Sequence, residues 1–390
     1  MSLVEVLHPS ELSETDAAAW SALQAASPDF SSPLMGPGFA RAVGEVRPDA
    51  RVAVFRNHTG PSAFLAFHRR PGGFARPIGA PFSDYHALVA RPAQGPAMAE
   101  VLDGAGLAAF RFSGLVDPSG AFAGAVSSTQ AAYKVVLEGS PEDYLREVCA
   151  GSRNRAKNYR RYRGKLERDI GPLRLVVDAG GEAFDQLLDW KRVQIARTGI
   201  TDFLAAPWTR ALLGRLAGIR TGDFQGLTIS LYAGKRHVCG HFGVRLGGHY
   251  HPWIGASDPA QRGYSPGFIH QWMAIEAMQA LALTTYDLGP GEGHWKAMFA
   301  SEQTEIGIGT ATTASLAGRL ASSSNALWRL PAAVGIHAAE RLRRRMEQVA
   351  LIETTLGGRL QGMVHAVAVS KRRAATRRPL LEVPPPLRRA

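Results

Sequence analysis

The chain has 390 residues, 45% of them hydrophobic and 20% charged, which is long enough for two domains with a sizeable core. Its formal charge of +12 does not imply a nucleic-acid-binding body, because residues 319–390 hold 14 Arg/Lys against four Glu and leave the first 318 residues close to neutral. Two cysteines, Cys149 and Cys239, exclude a disulfide framework and a cysteine-based zinc site and suit a reducing cytoplasm, and no uninterrupted apolar run approaches the roughly 20 residues of a spanning helix.

The opening Leu3–His8 alternates like a strand and carries no basic leader. Ser13-Glu-Thr-Asp16 ahead of Ala17–Trp20 predicts a capped helix, and Gly36-Pro37-Gly38 opens a second, short one to about Val43. Residues 51–55 and 63–68 alternate as paired strands about the turn Asn57-His-Thr-Gly60. A polar loop follows, Gly79-Ala-Pro-Phe-Ser-Asp84-Tyr85-His86, in which Asp84 and His86 are either substrate ligands or turn formers. A helix over 96–107 and strands near Phe110 and over 132–137 complete a first α/β unit.

Ser140-Pro141-Glu142-Asp143 is a strong helix start and marks a lobe boundary, giving an N-terminal lobe 1–139, a second lobe 140–318 and an extension 319–390. Residues 152–168 then hold eight Arg/Lys against one Glu. That density reads as a face for an anionic partner or as a solvated basic helix. Arg153 and Arg160, seven apart, fall on one side of it.

Helices ending at Gly199 and spanning 207–219 precede an antiparallel meander of 227–233, 236–246 and 249–254, with glycine turns at 234–235 and 247–248. Strict alternation puts His237, Cys239, His241 and Arg245 on one face of the middle strand. It puts Val244 opposite His251, so that His249 and His251 share the Val/Phe face. No cluster of cysteines or carboxylates joins these histidines, so they are read as acid/base groups rather than metal ligands, His241 first.

Residues 261–296 carry the strongest signal. Arg262-Gly263-Tyr264-Ser265-Pro266-Gly267 is a bend feeding a helix predicted to run to Leu283, with Ser265 as N-cap and Pro266 in the first turn. Open N–H groups there, beside Arg262, suit a phosphate or pyrophosphate. A strand over 284–288 then enters Gly289-Pro-Gly-Glu292-Gly-His294-Trp295-Lys296. Asp287, at the strand end, is either a general base or a turn former for the glycine loop; Glu292 and His294 rank below it.

Arg262 to Gly267 resembles the Arg/Gln-x-x-Gly-x-Gly/Ala pyrophosphate loop of GNAT acyltransferases, with Ser265 in place of the first glycine. The longer pattern through Tyr286-Asp287-Leu-Gly289 and His294-Trp295-Lys296, together with the Arg-rich helix, resembles the FemAB-like branch, in particular acetyltransferases of cellulose and exopolysaccharide synthesis. The resemblance implies tandem GNAT-like lobes of mixed α/β structure. It implies acetyl-CoA or another acyl-CoA held at Arg262, Gly263, Tyr264, Ser265 and Gly267; no metal is expected, because no cluster of cysteines or carboxylates supports one. It further implies an oxyanion held by a strand N–H where two central strands splay. Asp287 and His241 are then the candidate bases, and Arg153, Arg160, Lys296 and Asp84 the candidate substrate ligands. The acceptor expected is a sugar, free or lipid-linked. Two rival readings share the fold: an aminoacyl-tRNA-dependent transferase of the peptidoglycan type, and a non-catalytic binding protein. The first is disfavoured by the lack of a heptad insertion between Ser140 and Leu316.

The extension reads separately. Residues 331–356 pattern as a basic amphipathic helix, followed by basic residues from Lys371 around Pro384-Pro-Pro386. Such a segment suits an anionic membrane surface or an anionic regulatory nucleotide, with the protein otherwise cytoplasmic and no DNA partner.

Overall fold

A computed structural model of the chain describes residues 3–91, 94–151, 154–178, 180–198, 200–291, 293–320, 349 and 351–352. The chain divides into two compact units, 1–327 and 328–390, and every element named below lies in the first. Apart from 349, 351 and 352, the basic helix expected over 331–356 lies outside the described residues, as does the tail beyond Lys371.

The strands are β1 (Leu3–Leu7), β2 (Ala50–Asn57), β3 (Gly60–Arg70), β4 (Phe74–Pro77), β5 (Leu88–Ala90), β6 (Ala109–Leu115), β7 (Val126–Val136), β8 (Leu173–Val177), β9 (Phe224–Ala233), β10 (Arg236–Leu246), β11 (His249–Ser257), β12 (Thr285–Pro290) and β13 (Glu302–Thr312). The helices are α1 (Glu14–Ala25), α2 (Pro37–Val46), α3 (Met98–Gly104), α4 (Pro141–Ala150), α5 (Asn154–Asp169), α6 (Gly181–Thr198), α7 (Pro207–Ala217), α8 (Pro266–Glu276) and α9 (His294–Phe299). The fold is mixed α/β. One sheet runs in the order β1-β2-β3-β4-β6-β13-β7-β12-β11-β10-β9-β8, with β5 beside β3.

β7 does not close the first unit on β6, as the sequence order suggests. It lies between β12 and β13, and β13 pairs with β6. A strand's alternation shows which face is buried but not which edge it will meet, so this exchange is invisible locally.

Local chemistry accounts for most element ends. The Ser13 and Ser140 hydroxyls accept the N–H groups of Asp16 and Asp143, capping α1 and α4. The meander forms with its expected hairpins, Ala233 opposite Arg236 and Leu246 opposite His249. The helix expected to reach Leu283 stops at Glu276. The chain then turns to Ala282, in the left-handed region at φ 52°, and the Leu283 N–H returns to the Met278 carbonyl at 2.8 Å, a Schellman-type end.

In this half of the sheet α6 and α8 cover opposite faces. Leu187, Leu188 and Ile195 of α6 pack with Phe242, Val244 and Ile254. Ile269, Trp272 and Ile275 of α8 pack with Cys239, Tyr250 and Tyr286. An extra residue in β10, between His237 and Cys239, breaks the expected alternation. His237 therefore turns toward α6, where Gln186 meets its Nδ1 at 2.9 Å, while Cys239 stays on the α8 side.

Candidate active site

β11 and β12 run parallel but pair only at His249–Thr285 and Tyr250–Tyr286. Beyond Tyr250 they diverge. β11 continues along β10, with Trp253 as an extra residue opposite the Phe242–Gly243 step, and β12 continues along β7. Pro252 sits where pairing stops and has no N–H to leave unmet. The edge of β11 past this point is open.

A cavity of about 520 Å³ follows that edge. Arg262 and Gly267 line it from the bend before α8, Lys191 and Gln194 from α6, and Asp84 and Lys296 from the 79–86 loop and α9. A Cβ built on Gly263 or Gly267 would meet nothing, so the bend is not plugged by protein side chains. Ser265 is left-handed, φ 54°, and its hydroxyl makes no capping bond. Gln271, one turn along α8 from Gly267, lines the cavity and is 2% exposed. Among the described residues its amide oxygen and nitrogen have no partner, nor do Gln194 Oε1 and Trp253 Nε1 on the other walls. Buried polar groups without partners are costly in a folded protein, and here they face a space large enough for a ligand that would satisfy them. The residues present therefore fit a long polar carrier with an anionic end.

Asp287 is fully buried and does not line the cavity. Its Oδ1 accepts the Tyr85 hydroxyl at 2.8 Å and the Gly289 N–H at 2.7 Å, so it forms the turn into the glycine loop. Its Oδ2 lies 3.2 Å from His249 Nε2 and 3.5 Å from His251 Nδ1. Burial alone would raise its pKa, but His251 and His249 outweigh this and hold the carboxyl well below the usual range. The expectation that Asp287 takes a proton from substrate directly is corrected: nothing in the cavity can touch it.

The group that reaches the cavity is Asp84. Its carboxylate is about one-third exposed, and its Oδ2 lies 3.1 Å from His251 Nε2. Fully buried His251 thus stands between two carboxylates. Burial pulls its pKa down, but Asp287 and Asp84 together carry it up to about 9. His249 is held below its usual value by burial, despite Asp287. Lys296 completes the group, its ammonium donating to the Gly289 and Pro290 carbonyls at 3.3 and 2.6 Å. Burial lowers its pKa, against Asp84 and Asp287. The three side chains converge on Gly289, φ 74°, whose absent Cβ would lie 3.4 Å from Asp84 Oδ2, 3.6 Å from His251 Cε1 and 3.9 Å from Lys296 Nζ.

The loop that carries Asp84 is anchored from behind. The Gly79 N–H donates to His68 Nε2 at 2.9 Å, and His68 Nδ1 faces Asp49, which Arg47 also grips. At Gly114, φ 100°, a Cβ would fall 2.1 Å from the Asp84 carbonyl, so the loop passes where only glycine permits.

His241 lines the cavity too, but on the α8 face, against His270 at 4.2 Å between rings and with Tyr286 Oη at 2.6 Å from Nδ1. Burial, then His270 and Lys191, push its pKa well down. It is a neutral polar wall group and a weak base, on the opposite side of the sheet from Asp287. His86 is buried against Phe110 and Phe112, away from the cavity. Of the residues expected to hold acyl-CoA, Tyr264 turns outward to Asp169, at 3.1 Å, beneath Lys165, and Gly263 and Ser265 do not line the cavity. Arg160 is exposed and bonds back to the Ala156 carbonyl, so the structure does not bring it to the cavity. Arg153, Glu292 and the His294 side chain lie outside the described residues. His251, Tyr85, Gln271 and Lys191 were not singled out from the sequence. The one local hint was the placing of His249 and His251 together on the Val/Phe face.

Residues 153–297 match the family model of the acetyltransferase (GNAT) domain. That segment is a GNAT acyltransferase domain. It contains the splayed strands, the Arg262–Gly267 bend, His251 and Lys296, while Asp84 comes from outside it. No curated protein sequence matches the chain. Among solved structures, FemX is similar over 78% of this chain and 96% of its own, at 12% identity and a TM-score of 0.52, a likeness of fold. A tandem GNAT protein from the clavulanic acid biosynthesis pathway is similar over 79% and 98%, at 10% identity and a TM-score of 0.45. The C-terminal domain of a putative lysylphosphatidylglycerol synthetase from Agrobacterium fabrum is similar over 80% and 95%, at 14% identity and 0.44.

Proposed function

We propose that the protein transfers an acyl group from acyl-CoA, acetyl-CoA first among them, to an amine or hydroxyl on a sugar of an envelope polysaccharide or exopolysaccharide precursor. The carrying observation is the single cavity lined by Arg262 and Gly267 and also by Asp84 and Lys296, with the open edge of β11 between the diverging strands. Arg262 and the start of α8 would hold the pyrophosphate, and Gln271 and Gln194 would meet the amides of the pantetheine arm. Because Pro252 has no N–H, a strand donor to the oxyanion would come from Trp253 or beyond.

The sugar acceptor rests on the resemblance at 141–170 and 261–300 and on the cavity wall beside Asp84. There Trp295, 45% exposed, offers an aromatic face and Lys296 a cation for a phosphate. The basic segment 319–390 would hold the enzyme at an anionic membrane surface where lipid-linked sugars are met, or take an anionic nucleotide. Among the described residues no helix is long and apolar enough to cross a membrane.

Calorimetry with acetyl-CoA tests the reading. Binding that weakens at least tenfold in Arg262→Ala is expected; no heat at millimolar acetyl-CoA sinks it. A screen of nucleotide sugars as acceptors then addresses the substrate class. The aminoacyl-tRNA-dependent alternative shares the fold, to which FemX adds likeness of fold alone; indifference to CoA with transfer from aminoacyl-tRNA would favour it.

A further inference from the structure

Resting on that reading, we infer that Asp84 is the general base of the transfer, aimed by a buried chain in which His251 is the positioning residue. The chain runs from the cavity inward: Asp84 Oδ2 hydrogen-bonded to His251 Nε2 at 3.1 Å, His251 Nδ1 in ion-pair contact with Asp287 Oδ2 at 3.5 Å, and Asp287 Oδ2 hydrogen-bonded to His249 Nε2 at 3.2 Å. Only its first member reaches the cavity; the other three are buried.

Three observations support the assignment. A buried imidazole with a carboxylate on each side keeps both nitrogens protonated, so its Nε2–H donates to Asp84 Oδ2 and fixes where that carboxylate points. Asp287 cannot drift, because Tyr85 and the Gly289 N–H fix its other oxygen. Asp84 and Lys296 line one cavity, and both approach the point above Gly289 that His251 also faces, so the carboxylate and the ammonium lie on the same wall. The acceptor's nitrogen or oxygen forms its bond to the acyl carbon in the cavity beside Asp84 and becomes strongly acidic as it does so. A carboxylate is base enough for that proton. Asp84 takes it, the carbon–sulfur bond breaks with its electron pair going to sulfur, and Asp84 returns the proton to the thiolate. The site ends in the charge state in which it began. The charged and titratable groups facing Asp84 and its chain are His251 and His249 on β11, Asp287 on β12, Tyr85 on its own loop, Lys296 on α9 and Lys134 on β7.

The test uses full-length protein labelled with ¹⁵N-histidine. One imidazole should remain doubly protonated at pH 8, vanish in His251→Gln, and titrate at least one pH unit lower in Asp84→Asn. A neutral His251 at pH 8 overturns the chain whatever the protein binds. Thiol release from acetyl-CoA, with glucosamine or water as acceptor, reads the base directly. Asp84→Asn should lower it about 10²–10³-fold with acetyl-CoA affinity within twofold of wild type. In His251→Gln the kcat for thiol release should fall at least tenfold with the KM for acetyl-CoA within twofold of wild type, a split that loss of packing alone would not cause. A wild type that binds acetyl-CoA yet releases thiol no faster than Asp84→Asn overturns the base and leaves the carrier reading standing. A wild type that binds no acetyl-CoA sinks the carrier reading, while the histidine spectra still judge the chain.

Discussion

Asp84 and His251, 167 residues apart in sequence, meet at 3.1 Å between a carboxylate oxygen and Nε2. One belongs to a loop of the first half of the chain and the other to the strand whose edge lines the cavity. The site exists only because the sheet holds these two parts together. Its charges alternate, Asp84, His251, Asp287, so each burial cost is offset by a neighbour of opposite sign.

That alternation has a pH signature in stability. His251 has a folded pKa of about 9 against about 6.5 unfolded, and a raised value stabilises fully below 6.5 and is lost as pH rises through 9. Wild-type stability in urea should therefore fall by up to about 3 kcal/mol between pH 6.5 and 9.5 from this group, and His251→Gln should lack that component. Identical slopes in the two proteins would refute it. Asp287, with its pKa lowered, acts in the other direction, stabilising above about pH 4 and losing this as pH falls below it.

Gly289→Ala should injure activity more than folding. A left-handed alanine costs about 1–2 kcal/mol, a small part of the stability of a body of this size. The added methyl lies among Asp84, His251 and Lys296, so thiol release should fall at least tenfold. Normal turnover would show that the acceptor does not pass this glycine.

Gln271→Leu should separate stability from binding. Replacing an unpartnered buried amide by an apolar group removes a desolvation penalty of about 1–3 kcal/mol, so thermal unfolding should rise or stay level. Acetyl-CoA affinity should drop by about tenfold, the worth of roughly one hydrogen bond. A loss of stability with unchanged affinity would assign Gln271 to the core.

Tyr85→Phe leaves Asp287 Oδ1 with the Gly289 N–H as its remaining partner. Losing one hydrogen bond to a charged group costs about 1.5–3 kcal/mol, which chemical unfolding at pH 7 would register. A change under 0.5 kcal/mol, on the order of surface substitutions, would show the hydroxyl to be idle.

Lipid flotation reads the extension. Full-length protein should float with vesicles of anionic phospholipid, be released by added salt, and ignore neutral vesicles. Flotation with neutral lipid would point to apolar rather than charge-driven contact.

The sequence by itself determined the secondary structure around the site: the serine-capped helices, the glycine-turned meander, the Arg262–Gly267 bend before α8, and Asp84, Lys296 and His241 as residues of interest. Capping, turn chemistry and period-two alternation act over a few neighbouring residues, so a linear reading contains them. What it could not contain was decided by long-range pairing. The exchange of β7 and β13, the divergence of β11 from β12 after Tyr250, and the extra residue that turns His237 away from His241 all depend on which edges meet. Burial decided the rest. A carboxylate at a strand end reads as a base until tertiary packing seals Asp287 behind Tyr85, His249 and His251 and leaves Asp84, among the described residues, as the acid group facing the cavity.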